Sequence, residues 1–158
     1  MNNKTHTYQV TVAWTGNKGA GTAGYKNYGR DYEIRAGDKP AIPGSSDPSF
    51  LGDPARWNPE DLLVASLSAC HKLWYLHLCA VSGVTVVAYE DGAEGAMVKD
   101  KVRGGSFETV TLRPKVTITA DSDPQKARAL HRDAHEKCFI ANSVNFAVGH
   151  EPEIRVET

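Results

Sequence analysis

Residues 58–83 read NPEDLLVASLSACHKLWYLHLCAVSG. The stretch opens on a helix-start signal: Asn58 as cap, Pro59 at the first helical position, then Glu60 and Asp61 where the helix dipole is positive. It closes at Gly83, the residue type that most easily takes the left-handed conformation ending a helix. About 23 residues lie between, or roughly 35 Å of helix at 1.5 Å per residue. Their apolar side chains spread around the whole circumference, which predicts a buried central helix. Cys70 stands at its middle, followed at once by His71.

The bulk properties narrow the setting. At 158 residues the chain is expected to form one domain over 1–158, long enough to bury a real core. A net charge of -1 and the lack of a basic run give no pull toward nucleic acid or an anionic membrane. Glu60, Asp61, His71, Lys72 and His77 interrupt the central helix, which argues against a membrane span. The opening MNNKTHTY has no apolar segment of the signal-peptide kind. Three cysteines, an odd number, argue against a disulfide framework, so a reducing cytoplasm is the expected location.

Outward from the helix, residues 7–14 (TYQVTVAW) alternate, with Tyr8, Val10, Val12 and Trp14 on one side of a half-buried strand. Gly16, Gly19, Gly21 and Gly24 mark a turn; with no Gly-Lys-Ser/Thr after them, they suit a hairpin better than a phosphate loop. Residues 25–36 hold one or two short strands with Tyr32 and Ile34 inward, and 37–57 reads as a long loop of the kind that lines functional sites. Beyond the helix, 84–89 is strand-like, with 96–102 as its expected partner across 92–95. Residues 107–120 form a long strand whose Pro114 predicts an edge position or a bulge. Asp123-Pro124 starts a second helix, with Ala127, Leu130, Ala134 and Cys138 on its inner face, and 145–156 supplies a last strand. This order, without βα alternation, predicts an α+β fold with antiparallel sheets.

The cysteines carry the chemistry to be weighed. A reactive cysteine acts as the thiolate and needs positive charge, a helix N-terminus or a donor nearby. Cys70, in mid-helix, must get that help from another segment, or else is a small core hydrophobe. At about 100° per residue it shares a face with Leu63, Ser66, Trp74 and His77, whereas Cys79 lands about 180° away and reads as core. Cys138, near the end of the second helix, is the more plausible partner. His131, His135 and Cys138 have a spacing that can hold a metal. Their neighbours Arg132, Asp133, Glu136 and Lys137 favour a solvated face instead, so no metal and no cofactor is expected.

Asn58-Pro59-Glu60, a long apolar helix to Ser68-Ala69-Cys70, and a second cysteine at the end of another helix resemble the OsmC/Ohr family of thiol peroxidases. The order of elements is similar over almost the whole chain. The resemblance implies an OsmC-like α+β fold in an intertwined homodimer that reduces organic hydroperoxides and is recycled by a lipoylated protein or another thiol. By the same resemblance Cys70 is the peroxidatic cysteine, Cys138 the resolving one, and Glu60 the carboxylate that positions an arginine. Arg30, Arg35 and Arg56 are the candidates for that arginine, with Arg30 and Arg56 favoured. Leu67, His71, Leu73, Trp74 and Phe139 would line a pocket suited to an alkyl or lipid hydroperoxide. The sequence departs from the better-known branches at His71, in the Lys72-Leu73-Trp74-Tyr75 run, and at Phe139-Ile140 after Cys138. The rival reading is a non-catalytic dimeric module that binds a small ligand or a metal.

Spacing bears on the assembly too. Ten residues separate Glu60 from Cys70, about 15 Å of helical rise. If Glu60 helps to build the Cys70 site, it must do so from a second copy of the helix packed antiparallel. A helix apolar on all sides also needs more cover than one chain of this size readily supplies.

Overall fold

The computed structural model describes residues 4–158, so the first three residues of the MNNKTHTY segment lie outside the described residues. The long helix, α1, spans Pro59–Val81. Asn58 caps it, its Oδ1 accepting from the Asp61 N–H at 2.7 Å. At the other end Gly83 takes φ 75° and the Val84 N–H donates to the Cys79 carbonyl at 3.0 Å. That bond reaches back to the carbonyl a glycine terminator satisfies.

The chain gathers into two compact units, one ending at Leu62 and the other covering 63–158. In the first, β1 (Thr11–Trp14), β2 (Tyr32–Arg35) and β3 (Ile42–Gly44) form an antiparallel sheet in that order. The glycine-rich stretch joins β1 to β2 as the expected hairpin connection. Two expectations change here. The 37–57 stretch is not plain loop, since it contains β3 and a 3-10 turn at Pro48–Phe50. Tyr8, Val10, Val12 and Trp14 are exposed rather than half-buried, since the three-stranded sheet of this unit offers that face no apolar partner layer of its own.

The second unit carries β4 (Val86–Asp91), β5 (Glu94–Val98), β6 (Ser106–Leu112), β7 (Pro114–Ile118), helix α2 (Pro124–Lys137), β8 (Ala147–His150) and β9 (Glu153–Val156). Two sheets result, ordered β4-β7-β9 and β5-β6-β8. The centre strand of each pairs antiparallel with one neighbour and parallel with the other. The expected 84–89 to 96–102 hairpin is therefore replaced: β4 pairs with β7, and β5 with β6. Pro114 does break the long strand, but at a centre rather than an edge. It is the first residue of β7, where a missing N–H is tolerated. The expected last strand is likewise split, at 151–152, between β8 and β9.

Asp123 caps α2, its carboxylate accepting from the Gln125 and Lys126 N–H groups. As expected, Ala127, Leu130, Ala134 and Cys138 are all buried. Burial of α1 differs from the all-round pattern. Leu67, His71, Tyr75 and Cys79, four residues apart, form its one fully buried stripe, while Leu73 and Val81 are 63% and 67% exposed. The stripe bridges two apolar clusters. Leu67 joins Val110 and Leu112, whereas Tyr75 and Cys79 join Val116, Ile118, Ala127, Leu130 and Ala134. His71 stands between them. Replacing Asn58 by alanine removes the cap, and urea denaturation should show a loss of about 1 kcal/mol.

Candidate active site

Cys70 lies in the fourth turn of α1, next to the buried stripe, and is partly exposed. Cys138 ends α2 in extended backbone (φ -70°, ψ 109°) and is buried. The two thiols, neither in a disulfide, lie close enough for Cys70 to act on the Cys138 thiol. Burial, aided by Cys70, pushes the Cys138 thiol up to about 11, so it stays protonated at neutral pH. Its backbone is tied down on both sides. The Cys138 N–H donates to the His135 carbonyl at 3.2 Å, and the Asn142 N–H donates to the Cys138 carbonyl at 3.0 Å. The Ala141 N–H also points at Cys138 Sγ, 3.4 Å away. Cys79 is buried under Tyr75 in the core, on the far side of the helix from Cys70.

Behind the thiols lies a histidine cluster that patterning misassigned. His131, expected on a solvated face, is 0% exposed, and His71 is 1% exposed. His71 Nε2 and His131 Nδ1 share a hydrogen bond of 3.0 Å. Their rings lie 8° from parallel, and His150 of β8 stacks on His71 at 5.6 Å. Half-buried His135 stands next to His150 at 5.7 Å. Tyr75 stacks on His131 at 3.8 Å and donates its hydroxyl to the Ala127 carbonyl at 3.1 Å. The one signal for this cluster was spacing: His71 and Tyr75 repeat at four residues, and His131 precedes Cys138 by seven, two helical turns. Among the described residues, no group of three or more histidine, cysteine, aspartate or glutamate side chains is arranged to hold a metal ion.

The other expected residues fall in different places. Leu73, Trp74 and His77 line a shallow cleft of about 270 Å³ on the exposed side of α1. Phe139, 67% exposed, packs edge-on against Trp74 at 5.6 Å. Leu67 and His71, expected in the same pocket, are instead in the interior stripe. Ser68 was not singled out. Its hydroxyl donates to Asp91 at 2.5 Å, and the same carboxylate accepts from the Arg113 N–H at 2.7 Å. This ties the turn of α1 before Cys70 to the break between the two sheets.

Arg30, Arg56 and Glu60 belong to the first unit. The Arg30 guanidinium donates to the Tyr25 and Tyr28 carbonyls, each at 2.6 Å, and lies over both rings. Arg56 pairs with Asp31 at 3.5 Å and Asp53 at 3.7 Å. Glu60 bears on Tyr32, whose phenol is raised by burial first and by that carboxylate second. Arg35, the third arginine considered, pairs with Glu33 at 2.6 Å.

The cluster has a pH signature. Burial first, then the neighbouring imidazoles, lowers His71 to about 4 and His131 to about 3; Arg128 adds to the effect on His131. His150 is lowered by burial and by His135. Unfolded histidines take up a proton near pH 6.5, so between that pH and the folded values the unfolded chain binds more protons. Stability is therefore full above about pH 6.5 and falls on acidification, with a slope approaching roughly 1.4 kcal/mol per pH unit for each such proton. Urea melts at about pH 7.5 and about pH 5 should differ by about 2–4 kcal/mol. The double variant His71→Leu/His131→Leu should lose most of that difference.

Residues 52–153 match a family model described as OsmC-like protein. Among solved structures, an OsmC-like protein of unknown function from Vibrio cholerae is 31% identical, with a TM-score of 0.84 over 94% of this chain and 100% of that one. An organic hydroperoxide resistance protein OsmC from Legionella pneumophila superposes at a TM-score of 0.69 and 17% identity, covering 95% of this chain and 97% of the other. The organic hydroperoxide resistance protein OhrB of Bacillus subtilis gives 0.64 and 22%, covering 95% and 98%. These last two show a shared fold. No curated protein matches the chain.

Proposed function

The chain belongs to the OsmC-like protein family, and on that premise we propose that it is a thiol peroxidase reducing organic hydroperoxides through Cys70 and Cys138. The observation that supports this reading most is the meeting of the two thiols, Cys70 from the middle of α1 and Cys138 from the end of α2, one partly exposed and one buried. The surface formed by exposed Leu73 and Phe139 with half-buried Trp74 suits an alkyl group better than hydrogen peroxide. Two similar structures carry hydroperoxide resistance in their names.

In the proposed cycle the Cys70 thiolate attacks the distal peroxide oxygen. The O–O bond breaks, the alkoxide leaves as an alcohol with one proton, and Cys70 becomes a sulfenic acid. The Cys138 thiol then attacks the Cys70 sulfur, water leaves, and a disulfide forms. A dithiol donor, such as a lipoylated protein, returns two electrons and two protons by exchange. Cys138, held protonated, does not compete for peroxide in the first step. Arg30 or Arg56, positioned by Glu60, would supply the positive charge that thiolate chemistry requires. With about 15 Å of helical rise between Glu60 and Cys70, a Glu60 that served this site would have to come from a second protomer. The exposure of Leu73, Val81 and the β1 face supports such a homodimer.

Stopped-flow turnover of cumene hydroperoxide with dihydrolipoamide tests the reading. Cys70→Ser should fall to the uncatalysed rate, at least about a thousandfold below wild type. Cys138→Ser should keep a single fast peroxide-consuming step, then stall. Turnover indifferent to Cys70→Ser, or none in wild type, contradicts the proposal and favours a binding module.

A further inference from the structure

The His71–His131 hydrogen bond is a costly choice for a core. Each ring is buried, and each is left with one nitrogen, His71 Nδ1 and His131 Nε2, that finds no hydrogen-bond partner. Whichever ring donates, a neutral pair keeps one outer proton and one bare lone pair facing the interior. Orphaned groups of this kind each cost about 1–3 kcal/mol. Two apolar side chains of similar bulk would fill the space without that cost. The best-attested use of a buried polar pair is to fix register.

Register is the variable left open between these helices. The α2 side of their common core is largely alanine, Ala127 and Ala134, with Leu130 the one larger side chain. Small side chains offer little ridge to resist sliding. A slip of one turn displaces a helix by about 5.4 Å, whereas a disulfide needs its Cα atoms within about 4.4–6.8 Å. Cys70 is the residue before His71, and Cys138, bonded to the end of α2, follows His131 by two turns. The polar bonds across the seam, His71 to His131 and Tyr75 to Ala127, therefore control whether the sulfurs meet.

We propose that His71 and His131 are positioning residues whose mutual hydrogen bond holds α1 and α2 in the register that brings Cys70 and Cys138 within disulfide reach. The inference rests on the pairing of these two thiols proposed above. The bond acts through geometry and touches no substrate.

The test is the effective concentration of the Cys70–Cys138 pair, read from its equilibrium with glutathione. In that reaction the two thiols give two electrons and two protons to one glutathione disulfide, which leaves as two glutathione thiols. Peroxide plays no part. The double variant His71→Leu/His131→Leu should melt at or above the wild-type temperature at neutral pH, yet show an effective concentration at least tenfold lower. If that variant does not fold, His131→Leu and His131→Asn carry the same comparison, since an asparagine amide can take the place of Nδ1. The leucine should lose tenfold or more and the asparagine should stay within threefold of wild type. A folded leucine variant within threefold of wild type overturns the inference, as does an asparagine variant that falls as far as the leucine. If wild type forms no Cys70–Cys138 bond at all, the thiol-pairing reading fails first and takes this one with it. A bond that forms but ignores the histidines sinks this inference alone.

Discussion

The second unit depends on one seam, the contact between α1 and α2 through Tyr75, His71 and His131. Tyr75 contributes apolar burial, a ring stack and a hydroxyl bond to the Ala127 carbonyl at one place. His71 sits where the two apolar clusters of the unit meet, so the helix is fixed to both sheets on either side of a polar node. The thiols hang from the ends of this arrangement. Their proximity follows from where the helices are held, since neither cysteine makes a covalent tie.

The sheets support the same geometry. Each of the three long strand paths breaks near its middle, around Gly92, Arg113 and Pro152, and the breaks lie side by side. Asp91 gathers two of the loose ends, accepting from the Arg113 N–H and from Ser68, two residues ahead of Cys70. The position of the cysteine along α1 is thus referenced to the sheets as well as to α2. The outer face of α1, with Leu73 and Trp74, is left to carry an apolar surface.

Much of this was legible in the sequence where the signal was local. Asn58-Pro59 and Asp123-Pro124 each start a helix, Gly83 ends one, and the spacing of Ala127, Leu130, Ala134 and Cys138 marked an inner face. What failed was non-local. Strand 84–89 looked like the partner of 96–102 because they are neighbours in sequence, but pairing across the sheet overrode proximity. His131 looked solvated because its sequence neighbours are charged. On a helix those neighbours point elsewhere, and its own direction is toward Tyr75. The all-round apolar pattern of α1 predicted burial on every side, and one chain fully buries only the 67-71-75-79 stripe, leaving Val64, Trp74, Leu76 and Leu78 half-covered.

The central claim is that Cys70 and Cys138 form a redox pair. The most direct measurement is peptide mapping by mass spectrometry after one equivalent of cumene hydroperoxide is added to the fully reduced protein. The account predicts a single new cross-linked peptide joining Cys70 to Cys138, with Cys79 still a free thiol. Recovery of Cys70 unmodified, or its oxidation without any bond to Cys138, would contradict it.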